Sequence, residues 1–218
     1  ARLVAASTSQ GALYDEAGLD APTLVRLVRE QGSSGIRAYR DAQHIALGEL
    51  FELPLDMICP CARLHSIHAG NAERIQARLI CPGANNPLSP QAEEILHRRG
   101  ILSVPDFVAN AGGVLGGTLE FASCRRPQIS AFIRDQIGSR LEEILQQAVQ
   151  EGVPPRQIAE QRALARREQV SAAAERRSLG ALFAWGLEGY RRGWLPAWPV
   201  ARLTPVYLAR TMAPRSAS

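Results

Sequence analysis

The sequence predicts an α/β fold: a mostly parallel sheet of Rossmann type followed by C-terminal helices and an irregular tail. Three observations carry this reading. Short apolar runs alternate with helical patterns over residues 1–127. From residue 128 the apolar period is wholly helical, with Phe132, Ile133, Ile137, Leu141, Ile144, Leu145 and Ala148 in step. From residue 178 that period gives way to a segment holding Trp185, Trp194 and Trp198, several Arg and Pro, and one acid, Glu188.

In chain order, residues 1–7 (ARLVAAS) are a short apolar run suited to a buried parallel strand, and Ser9-Gln10-Gly11 breaks it. Asp20 stands where a helix over 21–30 needs its cap, with Leu24, Val25, Leu27 and Val28 as the apolar stripe. Glycines between 31 and 35 end that helix. Residues 36–45 can carry a short strand and 48–51 a helical turn. Further strands are predicted at 55–59, stopped by Pro60, at 77–81 and at 101–104, with a helical stretch at 71–76. Ser89 caps a helix over 90–99, with Pro90 first, Glu93 and Glu94 early, Arg98 and Arg99 late and Gly100 after. That is the charge order the helix dipole favours. Asn110 opens a glycine-rich helix. Residues 151–155 turn between two long helices, the second over about 156–177, and this pair is expected to run antiparallel against one side of the sheet. Prolines and glycines forbid one continuous amphipathic helix in 178–218, so the tail is read as loosely packed or disordered. The chain thus divides into a sheet unit (1–127), a helical pair (128–177) and the tail (178–218).

Composition narrows the function classes. No apolar run reaches the roughly 18–20 residues that span a bilayer, and no charged-then-apolar leader opens the chain. A membrane partner is not expected, and the chain is placed in the cytoplasm. The net charge of +4 is no nucleic-acid signature, and Arg interleaved with Trp in the tail is a weak one, so nucleic acid is not expected either. All 25 basic residues are Arg; without Lys, this chain cannot supply a lysine catalyst. Cys59, Cys61, Cys81 and Cys124 read as reduced, buried thiols. Cys61 with His65 and His68 lacks the second ligand pair of a zinc site, so no metal is expected.

The chemistry concentrates in residues 80–120. Pro82-Gly83-Ala84-Asn85-Asn86-Pro87 and Ala109-Asn110-Ala111-Gly112-Gly113 each follow a short apolar strand. In open α/β sheets, ligands sit just outside the carboxyl ends of the strands. An asparagine amide carries donors and an acceptor, so it can read a ribose hydroxyl or a carboxamide, and small neighbours let a backbone come close. Asn-Gly loops also serve simply as turns; two of them in one α/β unit favour the ligand reading.

These residues also carry a resemblance. Residues 104–114 (VPDFVANAGGV) match, almost letter for letter, the Pro-Asp-x-x-x-Asn-Ala-Gly-Gly-Val motif of the glutamate/leucine/phenylalanine/valine dehydrogenases. Residues 82–87 (PGANNP) resemble that family's Glu-Gly-Ala-Asn segment, with Pro82 in place of the acid. Residues 7–14 (STSQGALY), 56–62 (DMICPCA) and 142–156 (EEILQQAVQEGVPPR) are similar to further family segments, and the likeness covers about residues 1–175. It implies that 1–127 is an incomplete Rossmann-like dinucleotide-binding domain of an enzyme that deaminates an L-amino acid oxidatively to a 2-oxo acid, with NAD or NADP as cofactor. By the same resemblance Asn85 would touch the nicotinamide-side ribose, and Asn110 would hold the carboxamide and help place the substrate. Cys61 and Ala62, after Pro60, would line the adenosine or pyrophosphate side. Gly112 and Gly113 would let the next helix lie against the cofactor, and Val114 and Gly117 would face the substrate. Relatives being oligomers, a complete protein would be a homo-oligomer.

Departures from the family pattern matter equally. Thr8 stands where an acid usually accepts the adenine-ribose hydroxyls. A hydroxyl does not repel a 2′-phosphate, which favours NADP or weakens dinucleotide binding altogether. Gly117 replaces the serine of glutamate-specific relatives. No G-x-G-x-x-G occurs in the chain. In the family that loop follows the first, central strand of the cofactor domain, and the catalytic lysine and aspartate lie in a separate N-terminal domain. Residues 1–7 and 55–59 would then lack their shared neighbour and expose strand edges. The expectation is a fragment, inactive alone, with no catalytic residue of its own, whose partner is that N-terminal substrate domain in cis or in trans. The alternative is a non-catalytic dinucleotide-binding or partner module of the same ancestry.

Overall fold

The computed structural model describes residues 1–174 and 179–212. Its described strands form two separate three-stranded sheets, one antiparallel and one parallel.

The antiparallel sheet comes first. β1 (Ala5–Thr8) and β2 (Gly11–Tyr14) form a hairpin, and β3 (Gln43–Ile45) pairs with the other edge of β2. The parallel strand expected at 1–7 is therefore antiparallel. The cause is local: Thr8 Oγ1 accepts the Gln10 N–H at 3.1 Å, and the two-residue turn at Ser9-Gln10 sends the chain back along β1 before any crossover can form. α1 (Ala21–Gln31) covers this sheet. Asp20 occupies its cap position but makes no capping bond. Instead its own N–H donates to the buried Tyr39 hydroxyl at 2.8 Å. Leu24, Leu27 and Val28 face the core, whereas Val25 is exposed. The strand expected across 36–45 begins as the end of a 3-10 turn, Gly32–Ala38, and is strand only at Gln43–Ile45. Gly35 lies so close beneath α1 that a Cβ there would strike the backbone of Leu27.

The parallel sheet has the order β4 (Met57–Ile58), β5 (Leu79–Ile80), β6 (Leu102–Ser103). α2 (Ala69–Ala72) lies in the first crossover and α3 (Pro90–Arg98) in the second. Ser89 caps α3 as its sequence demands, accepting the Ala92 N–H at 3.2 Å. Arg99 donates to the carbonyls of Ala72 and Ile75 at 2.6 and 2.7 Å, which ties the end of α3 to α2. Ile58, Ile67, Ile75, Ile80, Leu88 and Leu96 fill the core between sheet and helices. Burying each such side chain is worth about 1.5–3 kcal/mol.

After β6 the chain is helical: α4 (Asp106–Ala109), α5 (Gly112–Phe121), α6 (Arg126–Glu151) and α7 (Pro155–Ala174). Gly152, left-handed at φ 65°, ends α6. α6 and α7 pair through Ile144, Ala148, Ile158 and Ala159, and Val108 of α4 joins that core. The tail is more ordered than its composition suggests. α8 (Leu179–Arg191) and α9 (Ala197–Met212) are helices, broken at Gly193 and Pro196 as the breakers require. Val200, Ala201, Leu208 and Tyr190 pack with Leu119, Ala122 and Cys124, so the tail has a core partner that its own sequence does not reveal. Residues 175–178 and 213–218 of the expected helix end and tail lie outside the described residues. No helix among the described residues is long and apolar enough to cross a membrane.

The Gly35 contact yields a stability test. Gly35→Ala should destabilise the full chain by roughly 1–3 kcal/mol, because rigid backbone rather than a movable side chain receives the new methyl. Gly48→Ala, where the space is open, should change thermal unfolding little.

Candidate functional site

Three loops meet at the carboxyl ends of β4, β5 and β6. Pro60 supplies one carbonyl that accepts both the Gly83 and Ala84 N–H groups, at 3.1 and 3.0 Å. The second loop thus lies directly on the first. A Cβ on Gly83 would stand 2.7 Å from Cys61 Sγ, so a larger residue there would require the Cys61 side chain to move. The far side of the same loop is held by a short parallel pairing: the His65 and Ile67 N–H groups donate to the carbonyls of Asn86 and Pro87, at 2.9 and 3.0 Å.

The third loop closes on the second through two bonds. Asn110 Nδ2 donates to Asn85 Oδ1 at 2.5 Å, and also points at the Ala84 carbonyl at 3.4 Å. The Asn86 N–H donates to Asp106 Oδ2 at 2.8 Å. The two asparagines singled out from the sequence therefore touch. Among the described residues, neither the Asn85 amide NH₂ nor the Asn110 amide oxygen has a hydrogen-bond partner. Side by side, they offer one donor and one acceptor, the complement of a carboxamide.

α5 continues from this clasp as a helix with two kinds of glycine. Gly112 and Gly116 face α6, where a Cβ would meet Ile133 at 3.4 and 3.7 Å. Gly113 and Gly117 face open space, flanked by exposed Val114 and Thr118. Of the expected contact residues, Gly113, Val114 and Gly117 share this open face, whereas Gly112 is a packing glycine between helices. Cys61 sits under Gly83, and Ala62 beside it is exposed. Thr8 belongs to the other sheet, at the hairpin turn, where its hydroxyl donates to the Ser33 carbonyl at 2.8 Å.

The cysteines depart from expectation. All four are free, but only Cys124 is buried, while Cys59 and Cys61 are exposed at the end of the outer strand β4. Desolvation, with the neighbouring thiols adding to it, pushes the Cys59 and Cys81 thiols up and disfavours thiolate. Among the described residues, no group of three His, Cys, Asp or Glu is placed to hold a metal ion. His68, one of the metal candidates considered, accepts the Gly70 N–H at 3.1 Å and caps α2.

Behind the clasp lies a charge cluster that sequence spacing does not announce. Asp106 is 4 % exposed. Its Oδ1 accepts from Arg156 Nη2 at 2.5 Å, across 50 residues of chain. Arg156 Nε donates to both Glu93 oxygens at 2.8 Å, Glu160 lies 3.8 Å from Nη1, and the guanidinium carbon stands 5.5 Å over the Phe107 ring. Burial pushes the Glu93 carboxyl up, and Asp106 and Glu160 add to this against the attraction of Arg156. Burial works against ionised Asp106 too, but the Asn86 N–H and Arg156 outweigh it and hold that carboxyl below its usual range. The only sequence hints were an acid inside the motif at 104–114 and an arginine directly after Pro154-Pro155.

The two carboxyls give opposite pH signatures. A depressed carboxyl stabilises the fold above its unfolded pKa and loses that contribution as pH falls through the folded value; a raised one loses its contribution as pH rises through the folded value. Asp106→Asn should therefore cost about 3 kcal/mol at neutral pH, and flatten the loss of stability on acidification below about pH 4. Glu93→Gln should instead remove a destabilisation that grows as pH rises above the usual glutamate range. Urea titrations of the full chain at a series of pH values check both signs.

The comparisons with known proteins follow this geometry. Residues 1–179 match the family model described as Glutamate/Leucine/Phenylalanine/Valine dehydrogenase. The glutamate dehydrogenase of Thermotoga maritima is 41 % identical over 149 residues, which are 67 % of this chain and 34 % of that protein. The glutamate dehydrogenase of Aeropyrum pernix is 38 % identical over 125 residues, 57 % of this chain and 29 % of its own length. The chain thus spans about a third of the length of these curated relatives. Among solved structures, the hetero-hexameric glutamate dehydrogenase of Thermus thermophilus in its Leu-bound form superposes with a TM-score of 0.63 at 25 % identity, covering 72 % of this chain and 38 % of that one. The L-tryptophan dehydrogenase of Nostoc punctiforme gives 0.50 at 27 % identity, covering 54 % and 35 %. With a match over residues 1–179 of its 218, the chain belongs to the glutamate/leucine/phenylalanine/valine dehydrogenase family.

Proposed function

We propose that this chain is the cofactor-domain portion of an NAD(P)-dependent amino-acid dehydrogenase, in which residues 1–127 bind the dinucleotide. The observation that carries the reading is the Asn85–Asn110 pair, with its free amide donor and acceptor, at the head of the open glycine face of α5. These groups fit a nicotinamide: Asn110 would accept from the carboxamide, Asn85 would donate to it or to the adjoining ribose, and Gly113 and Gly117 leave room for a flat ring. When bound, the nicotinamide would take a hydride from the α-carbon of an L-amino acid in oxidative deamination. This chain's residues would hold the carboxamide and exclude water along α5, with Asn110, Val114 and Gly117 beside the substrate. Cys61 and Ala62 would border the pyrophosphate side. Thr8 would replace the usual ribose-binding acid, which removes a repulsion against the 2′-phosphate of NADP and also a hydrogen-bond acceptor for NAD.

By the family resemblance, acid–base chemistry on the amino group would fall to a lysine and an aspartate of a separate N-terminal domain, and this chain has no lysine. We therefore assign it to an N-terminal substrate domain supplied in cis or in trans, within a homo-oligomer, and expect the chain alone to be inactive.

Calorimetric titration of the full chain with NAD and with NADP tests the reading. Binding of at least one, abolished by Asn110→Ala with thermal unfolding preserved, is the expected result. Failure of both dinucleotides to bind would instead favour a module that kept the family's fold and interfaces without its ligand. Amino-acid-dependent formation of NADH or NADPH by the purified chain would overturn the claim of inactivity.

A further inference from the structure

We infer that Arg156 is a positioning residue for the Asn85–Asn110 pair, acting through the Asp106 carboxylate on the backbone of Asn86, so that α7 sets the geometry of the candidate ligand loops. The word ligand here rests on the function proposed above; the relay itself does not.

The relay is short and fully specified. Asp106 has two carboxylate oxygens and both are committed, Oδ1 to Arg156 and Oδ2 to the Asn86 N–H. Asp106 is buried and each of its oxygens has a protein partner, so the direction of the guanidinium fixes the direction of the second oxygen. That oxygen holds an unusual backbone. Asn86 is a non-glycine residue at φ 44°, in the left-handed region, where a side chain is held at a cost. Its N–H is taken by Asp106 and its carbonyl by the His65 N–H, so it is pinned from both sides. With Asn86 so fixed, the preceding residue, Asn85, turns its amide oxygen to Asn110. Asp106 also supports the second member of the pair, because its carbonyl accepts the Asn110 backbone N–H at 2.8 Å. One carboxylate residue thus underlies both asparagines, and among the described residues Arg156 is the cation in an ion pair with it.

The plainer reading is that Arg156 only neutralises Glu93 and Asp106, a structural counter-ion between α3, α4 and α7. The two readings part at Asn86. A counter-ion is replaceable by any nearby positive charge and lost with a uniform drop in stability. A positioning residue is felt as a specific displacement of the Asn86 N–H and the Asn110 side-chain amide while the remainder of the fold stays in place. Lysine keeps the charge but not the fork that spans two carboxylates in fixed directions.

The test uses the full chain, first without ligand. Amide NMR of wild type, Arg156→Lys, Arg156→Met and Glu160→Gln would follow the Asn86 backbone and Asn110 side-chain signals, alongside thermal unfolding. In Arg156→Met both signals should move and Asn86 should exchange about tenfold faster. Arg156→Lys should show a smaller change of the same kind, and Glu160→Gln, which removes an exposed and distant partner, none. NADP titration of the same set should show a dissociation constant about 10–100-fold higher for Arg156→Met, with partial recovery in Arg156→Lys. Unmoved Asn86 and Asn110 signals in a folded Arg156 variant would overturn the relay, whatever the binding does. If Arg156→Met does not fold, Arg156→Lys decides by the same two signals. Signals that move while even wild type binds neither NAD nor NADP would leave the relay standing and overturn the ligand reading.

Discussion

The site hangs on a single buried carboxylate. Asp106 lies at the first turn of α4, just past the carboxyl end of β6, and it is the point where three segments far apart in sequence are joined: the Asn85–Asn86 loop, the loop bearing Asn110, and the start of α7. Ion pairs of this kind contribute little net stability when weighed against a well-packed apolar substitute. Their value lies in direction. A guanidinium and a backbone N–H approach from defined angles, so the carboxylate between them cannot rotate. In a parallel sheet of three short strands, loop geometry cannot be dictated by strand length. Here it is dictated by polar contacts behind the loops.

Around that point the described residues form four small cores rather than one large one. The hairpin sheet with α1, the parallel sheet with α2 and α3, the α6–α7 pair and the tail on α5 each bury their own apolar set. Packing alone therefore leaves the relative setting of the units under-determined, and polar bridges such as Arg156 to Glu93 and Asp106 supply the register between them.

Much of this was legible in the sequence. The strands of the parallel sheet, the Ser89 cap and the α6–α7 turn follow from period and breaker residues, which are local signals. Asn85 and Asn110 stood out because they follow parallel strands at their carboxyl ends, and the fold brings the two into contact. What was not legible depended on partners distant along the chain. Residues 1–7 carry the composition of a buried parallel strand, yet a two-residue turn made them antiparallel. The tail looked irregular because its amphipathic character is divided between two helices, and the apolar surface that orders it belongs to α5. Arg156 and Glu93 are ordinary surface-type residues by composition; only folding brings them together across 63 positions.

The glycines of α5 have a consequence for how the chain tolerates change. Four of its ten residues are glycine, and each costs a helix about 1 kcal/mol relative to alanine. Alone, this segment would not be a helix; its order is lent to it by Ile129, Ile133 and Ile137 of α6 on one side and by α9 on another. Val200 and Thr204, buried in α9, therefore belong to the support of α5 although they lie far from it in sequence. The tail, which extends past the family match, is thus bound into the stability of a helix that lies within that match.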